Sequence, residues 1–188
     1  MQKLNFFRKG IFALLVAATA LVACSKDSDD NEFKYTNTVT LNGVEKKITR
    51  AEYEENNSNY RLFLYLDESN ENVLITLNEK LHMNGSSISL NQKENEHKNG
   101  ENYWGITYST TNNTTLFYTT ANPTEQAPLF QTGTLTVSRD PENGTFNIKL
   151  ENGNVKGFND NKYTLTLNYS GKMEKRQWHI SQSSYPAN

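Results

Sequence analysis

The sequence predicts an all-β domain: an antiparallel meander of about ten strands, forming either a sandwich or a lipocalin-like barrel. Three observations predict it. From Phe33 onward apolar residues recur at every second position, not every 3.6. Five of the ten glycines directly follow an asparagine, at 42–43, 84–85, 99–100, 143–144 and 152–153. Asn-Gly readily takes the positive φ of tight hairpins. Finally, no convincing helix start-and-stop pattern follows residue 24.

In chain order, Thr38–Leu41 and Val44–Thr49 are joined by Asn42-Gly43 as a two-residue hairpin. Ala51–Glu55 reads as a single helical turn. Tyr60–Asp67 and Val73–Leu77 are densely apolar and read as central strands. Ser86–Leu90, Tyr103–Ser109 and Leu116–Thr120 follow. Thr134–Ser138 and Thr145–Leu150 alternate strictly, with one wet face each. Asp140–Gly144 joins them, and Pro141 presets φ in that turn. Tyr163–Tyr169 is the clearest strand: Tyr163, Leu165, Leu167 and Tyr169 face the core and Thr164, Thr166 and Asn168 face water. Arg176–Ile180 adds a terminal strand. A meander this long hides its edges by closing into a barrel or splitting into two packed sheets.

The N-terminus is an address. Lys3, Arg8 and Lys9 precede an uncharged, mostly apolar run from Ile11 to Ala23. That run is too short for a membrane span, which needs about 20 residues, and fits a signal peptide over 1–23. It ends Leu21-Val22-Ala23-Cys24, which resembles the bacterial lipobox. The resemblance implies cleavage after Ala23 and a lipid on Cys24, the chain's only cysteine. Two or three acyl chains anchor firmly where one binds marginally. With the single thiol lipidated, no disulfide is available to the domain. Residues 24–32, with Asp27, Asp29 and Asp30, form a tether. The tether resembles the acidic surface-export signal of Bacteroidota lipoproteins, which implies display at the cell surface rather than a periplasm-facing anchor. Residues 33–188 form one β domain. Its end, a GTLTVS strand, an Asn-Gly turn and a YTLTLNYSG strand between Gly133 and Gly171, is similar to small β-rich lipoproteins of that group.

Composition narrows the function. After residue 24 stand 16 Lys and Arg against 21 Asp and Glu, a net charge of −5, which argues against nucleic-acid binding. Eighteen aromatic residues in the same stretch argue against a disordered chain. His82, His97 and His179 share no metal-ligand spacing and read as surface or rim residues. No serine sits in a nucleophile elbow, and no glycine-rich loop follows a strand to cradle phosphate. Glu54–Glu55 and Glu94–Glu96 read as solvated acids. The oxygen-rich stretch 151–161 offers calcium only Glu151 and Asp160 as charges, and reads as an Asn-rich turn. No enzyme, cofactor or metal site is expected.

Aromatic side chains are the best sign of binding. Trp104, Tyr108, Tyr118 and Trp178 are candidate ligand contacts if one sheet face is open, and core if both are covered. Trp104, Ile106 and Tyr108 share one strand face and Tyr103 takes the other; Phe117 and Tyr118 are likewise split. The expectation is an outer-membrane lipoprotein, held through its lipid, acting as a non-catalytic module for a glycan or an envelope or host protein. The alternatives are a lipocalin-like carrier of a small apolar ligand and a structural subunit of a surface assembly.

Overall fold

Alternation in the sequence becomes alternation of burial in the computed structural model, which describes residues 37–66 and 70–177. The signal peptide, Cys24, the acidic tether and Trp178 lie outside the described residues. The strands are β1 (Thr38–Leu41), β2 (Val44–Lys47), β3 (Arg50–Asn56), β4 (Asn59–Tyr65), β5 (Asn72–Asn78) and β6 (Asn84–Ser89). They continue with β7 (Gly105–Ser109), β8 (Thr115–Thr120), β9 (Phe130–Arg139), β10 (Thr145–Lys156), β11 (Lys162–Lys172) and β12 (Glu174–Lys175). One helical turn, α1 (Glu79–His82), lies between β5 and β6.

They form two six-stranded sheets, ordered β2-β1-β11-β10-β9-β6 and β12-β3-β4-β5-β7-β8. The fold is a sandwich; the sheets do not close into a barrel. Meander order holds within β3-β4-β5 and β9-β10-β11, but β1 pairs with β11 and β6 with β9. The β1–β11 register explains the first departure: it sets Val39 opposite Leu167 and Leu41 opposite Leu165, so both strands turn apolar residues inward together.

The inner faces meet in one core. Leu135, Val137, Ile148, Leu150, Leu165 and Leu167 come from the first sheet, and Leu62, Leu64, Val73, Ile75, Leu77 and Ile106 from the second. Rings bridge the layers: Phe146 lies 5.1 Å from Tyr53, and Phe117 lies 6.0 Å from Phe130.

Two expectations are corrected. The terminal strand is β12 (Glu174–Lys175), and Arg176 and Gln177 lie beyond it. Ala51–Glu55 is not helical but part of β3, because Tyr53 pairs with Leu62 and Glu54 with Arg61 across the sheet. Cross-strand pairing overrides the local helix preference of Ala and Glu. The helical turn falls instead at α1, where the Asn78 side chain caps the Lys80 amide at 3.1 Å. As expected, Asn42-Gly43 makes the two-residue hairpin, whereas the Asn-Gly pairs at 84–85 and 152–153 sit at strand irregularities. The β3–β4 hairpin turns instead on Asn57-Ser58, both at positive φ (51° and 64°). At the β10–β11 turn, a Cβ on Gly157 would collide with the Leu116 carbonyl and the Tyr163 ring, so glycine lets this turn cover edge strand β8.

Candidate binding groove

The outer face of the second sheet carries side chains in aligned rows. One row runs Glu52–Phe63–Leu74–Thr107–Tyr118, and the next Glu54–Arg61–Thr76–Gly105–Thr120. The β3–β4 end is self-satisfied. Glu54, only 1% exposed, pairs with Arg61 at 3.0 Å and Arg176 at 3.1 Å. The Arg176 guanidinium lies 4.6 Å from the Phe63 ring centre. Glu54 is therefore a buried ion-pair partner and not the solvated acid expected from the sequence.

The β7–β8 end is open. Gly105 stands between Thr76 and Thr120 in its row, and a Cβ there would come within 2.6 Å of Thr76 Oγ1. Above this low point lies a groove of about 310 Å³, lined by Thr76, Thr120, Tyr103, Tyr118, Glu101 and Glu125 among others. That is the small end of the ~300–1,000 Å³ range typical of ligand sites. A second hollow, of about 250 Å³, lies on the other side of Tyr118 and includes Pro128 and Phe158 in its walls. Tyr118 is 38% exposed and belongs to both.

Each wall is held from behind. The Tyr118 hydroxyl donates to Glu125 Oε2 at 3.0 Å, and Asn122 Nδ2 donates to Glu125 Oε1 at 2.9 Å. Desolvation, then the Glu125 carboxylate, push the Tyr118 phenol above its usual range, so it remains a neutral donor. Lys93 Nζ donates to the carbonyls of Thr120, Glu125 and Ala127 at 2.8, 3.1 and 3.2 Å, fixing the loop that carries Glu125. Across the groove, the Tyr103 ring stacks on His97 with centroids 4.0 Å apart. Its hydroxyl accepts the His97 amide at 2.9 Å.

Tyr103 and Glu101 arrive on a connection, residues 90–104, that joins the two sheets. Segments this long without regular structure are uncommon inside a domain and are usually either functional loops or linkers. A polar network pins this one. Asn59 Oδ1 accepts from Asn78 Nδ2 at 3.1 Å and from the Asn102 amide at 2.8 Å, and Asn59 Nδ2 donates to the Gly100 carbonyl at 2.6 Å. Glu94 Oε1 lies 2.8 Å from His82 Nε2, and Glu94 Oε2 accepts the Trp104 amide at 3.3 Å.

His82, Glu94 and His97 form a group that the sequence did not disclose: one donor atom of each lies within 4.8 Å of the others. His82 is 2% exposed, not a rim residue. The group resembles a metal centre in composition but not in proton arrangement. His82 Nδ1 accepts the Asn78 amide at 2.8 Å, so the neutral ring carries its proton on Nε2 and donates it to Glu94. While α1 keeps this cap, neither ring nitrogen has a free lone pair for a cation. The group serves to brace the loop behind Tyr103.

The four aromatic candidates separate. Trp104 and Tyr108 are fully buried and belong to the core, because their side chains point between the sheets. They offer no ring to a ligand. Tyr108 instead donates its hydroxyl to Glu71 Oε1 at 2.6 Å. Tyr118 faces outward, and Trp178 lies outside the described residues. In the 151–161 stretch, Glu151 pairs with Lys149 at 2.8 Å and Asp160 with Lys156 at 2.7 Å. The hydrogen bond and charge of Lys156 lower the Asp160 carboxyl below its usual value.

Comparison with protein-family models, with curated proteins and with solved structures returned no match. The function therefore rests on the residues themselves. Tyr103 was legible as the odd-facing partner of Trp104; Glu101, Glu125 and the His82–Glu94–His97 brace had no signal in spacing, because separate strands and loops bring them together.

Proposed function

We propose that this chain is a lipid-anchored outer-membrane protein, displayed at the cell surface, whose sandwich is a non-catalytic binding module. The observation that carries the binding reading is the braced groove over Gly105, with a half-exposed tyrosine at its rim. Its walls are fixed before any ligand arrives, which reduces the ordering cost of binding. The groove residues described above stabilise one another's positions: Tyr118 is paired with Glu125, but burial and that carboxylate keep the phenol protonated, so the pair fixes the ring rather than supplying an activated nucleophile. The anchor rests on the Leu21–Cys24 lipobox and the acidic residues after it. The carrier reading loses its support, since the barrel it needs is not formed and the space between the sheets is filled by core side chains.

Thermal shift of the full-length chain in detergent micelles tests the module reading. The probes are soluble oligosaccharides, extracellular peptides and small apolar molecules. A ligand at a hundred times its Kd stabilises by about 2.7 kcal/mol, enough to raise the midpoint by several degrees. The expected result is a class of probe that raises the midpoint of the native chain and not that of Tyr118→Ala. A response confined to apolar molecules and unchanged in Tyr118→Ala would restore the carrier reading.

A further inference from the structure

The two hollows beside Tyr118 differ in chemistry, and the difference selects a ligand. The larger offers hydroxyls from Thr76 and Thr120, amide groups from Asn102 and Asn122, and carboxylates from Glu101 and Glu125. No Lys or Arg lines it. Two carboxylates without a cation disfavour phosphate, sulfate and uronate. The smaller hollow is mostly apolar: Phe158, 53% exposed, stands there with Pro128, next to the buried Phe117. Its one cation, Lys156, is engaged by Asp160 at 2.7 Å. Tyr118 forms the ridge between them and presents a ring whose hydroxyl is already committed to Glu125.

A ligand that fits both sides must be amphipathic within each unit, with C–H faces for aromatic rings and hydroxyl edges for carboxylate, amide and threonine groups. It must also carry no negative charge, and be long enough to cross the ridge. From this we infer that the groove binds a neutral oligosaccharide, with successive sugar units on either side of Tyr118; the inference rests on the binding-module reading above. Carboxylates and side-chain amides accept and donate paired hydrogen bonds to neighbouring sugar hydroxyls, while the Tyr118 and Phe158 rings take the apolar faces.

Calorimetric titration of the full-length chain in micelles provides the test. The probes are cellohexaose and maltohexaose as neutral chains, hexagalacturonate as an anionic one, chitosan hexamer as a cationic one, and glucose as a single unit. A neutral hexasaccharide should bind, and glucose should bind at least about tenfold more weakly, since it reaches one side of the ridge. Tyr118→Ala should weaken the hexasaccharide about tenfold, while Tyr118→Phe, which keeps the ring, should stay close to the native chain. Phe158→Ala, at a more exposed site, should weaken it too and guards against a folding defect in the first variant. Equal melting temperatures of native and variant chains complete that control. Tighter binding of hexagalacturonate or chitosan than of either neutral chain overturns the neutral-sugar assignment. So does neutral-chain binding that neither variant alters. A peptide whose binding is lost in Tyr118→Ala overturns the sugar assignment but keeps the module. Silence of every probe, here and in the thermal screen, overturns both.

Discussion

At the level of single residues, adjacent positions on β11 separate packing from exposure. Leu165 is fully buried opposite Leu41, and Thr166 is exposed. Leu165→Ala should cost about 2–5 kcal/mol, from lost transfer energy and the residual cavity. Thr166→Ala should cost under about 1 kcal/mol. Paired denaturant melts measure both, and equal costs would mean a strand covered on both faces. A second residue effect is alkaline. Burial pushes the Tyr60 phenol up to about 12, with Arg139 opposing and Glu55 adding. An unfolded tyrosine ionises near 10, so between about pH 10 and 12 the unfolded chain sheds a proton that the folded chain keeps. Stability is whole below pH 10 and falls as pH rises through this window. The urea midpoint should drop from pH 9 to pH 11, and Tyr60→Phe should reduce the drop.

At the level of elements, the connection between β6 and β7 is irregular in backbone yet fixed by side chains. The β4 and β5 ends supply Asn59 and Asn78, α1 supplies His82, and the loop supplies Glu94. Removing His82 leaves the Asn78 amide and one Glu94 oxygen without their partner. His82→Ala should therefore cost about 1–3 kcal/mol beyond the lost packing. Its more specific consequence is local: amide hydrogen exchange across residues 91–104 should accelerate, while exchange in β9–β11 should change only with global stability. Unchanged protection of the loop would show that the asparagine pair alone holds it. The same variant should weaken ligand binding through Tyr103, which stacks on the braced His97 ring.

At the level of the whole molecule, address and fold are separable. In the proposed reading, the lipid attachment depends on one atom, the Cys24 sulfur. Cys24→Ala should abolish metabolic palmitate labelling and release the protein from membranes; continued labelling would refute the anchor. Replacing Asp27, Asp29 and Asp30 with Ala should leave the melting temperature unchanged, since these residues precede β1. It should also reduce cleavage by external protease on intact cells. Cleavage at the native level would place the export signal elsewhere, or the protein on the inner face of its membrane.

Most of the strands, and the face each presents to the core, were legible in the sequence. Tyr163–Tyr169 alternates because one sheet face is dry and the other wet, and that pattern needs no knowledge of partners. The split of Tyr103 from Trp104, and of Phe117 from Tyr118, followed from the same period of two. The Asn-Gly pairs located chain reversals and irregularities, although only 42–43 is the two-residue hairpin, because a turn residue specifies a local φ and not the register around it. Tertiary structure alone decided the rest. Pairing of β1 with β11 joins segments more than a hundred residues apart and makes two open sheets instead of a barrel. Ala51–Glu55 became a strand because its partners across β4 outweigh its own helical leaning. Glu54, read as solvated, is buried because Arg61 and Arg176 come to it. The groove is the clearest case. Thr76, Tyr103, Tyr118 and Glu125 have no common spacing, and only the stacking of β5, β7 and β8 beside a pinned loop sets them around one depression. Periodicity records which side of a strand is wet, whereas a site is made by which strands stand next to one another.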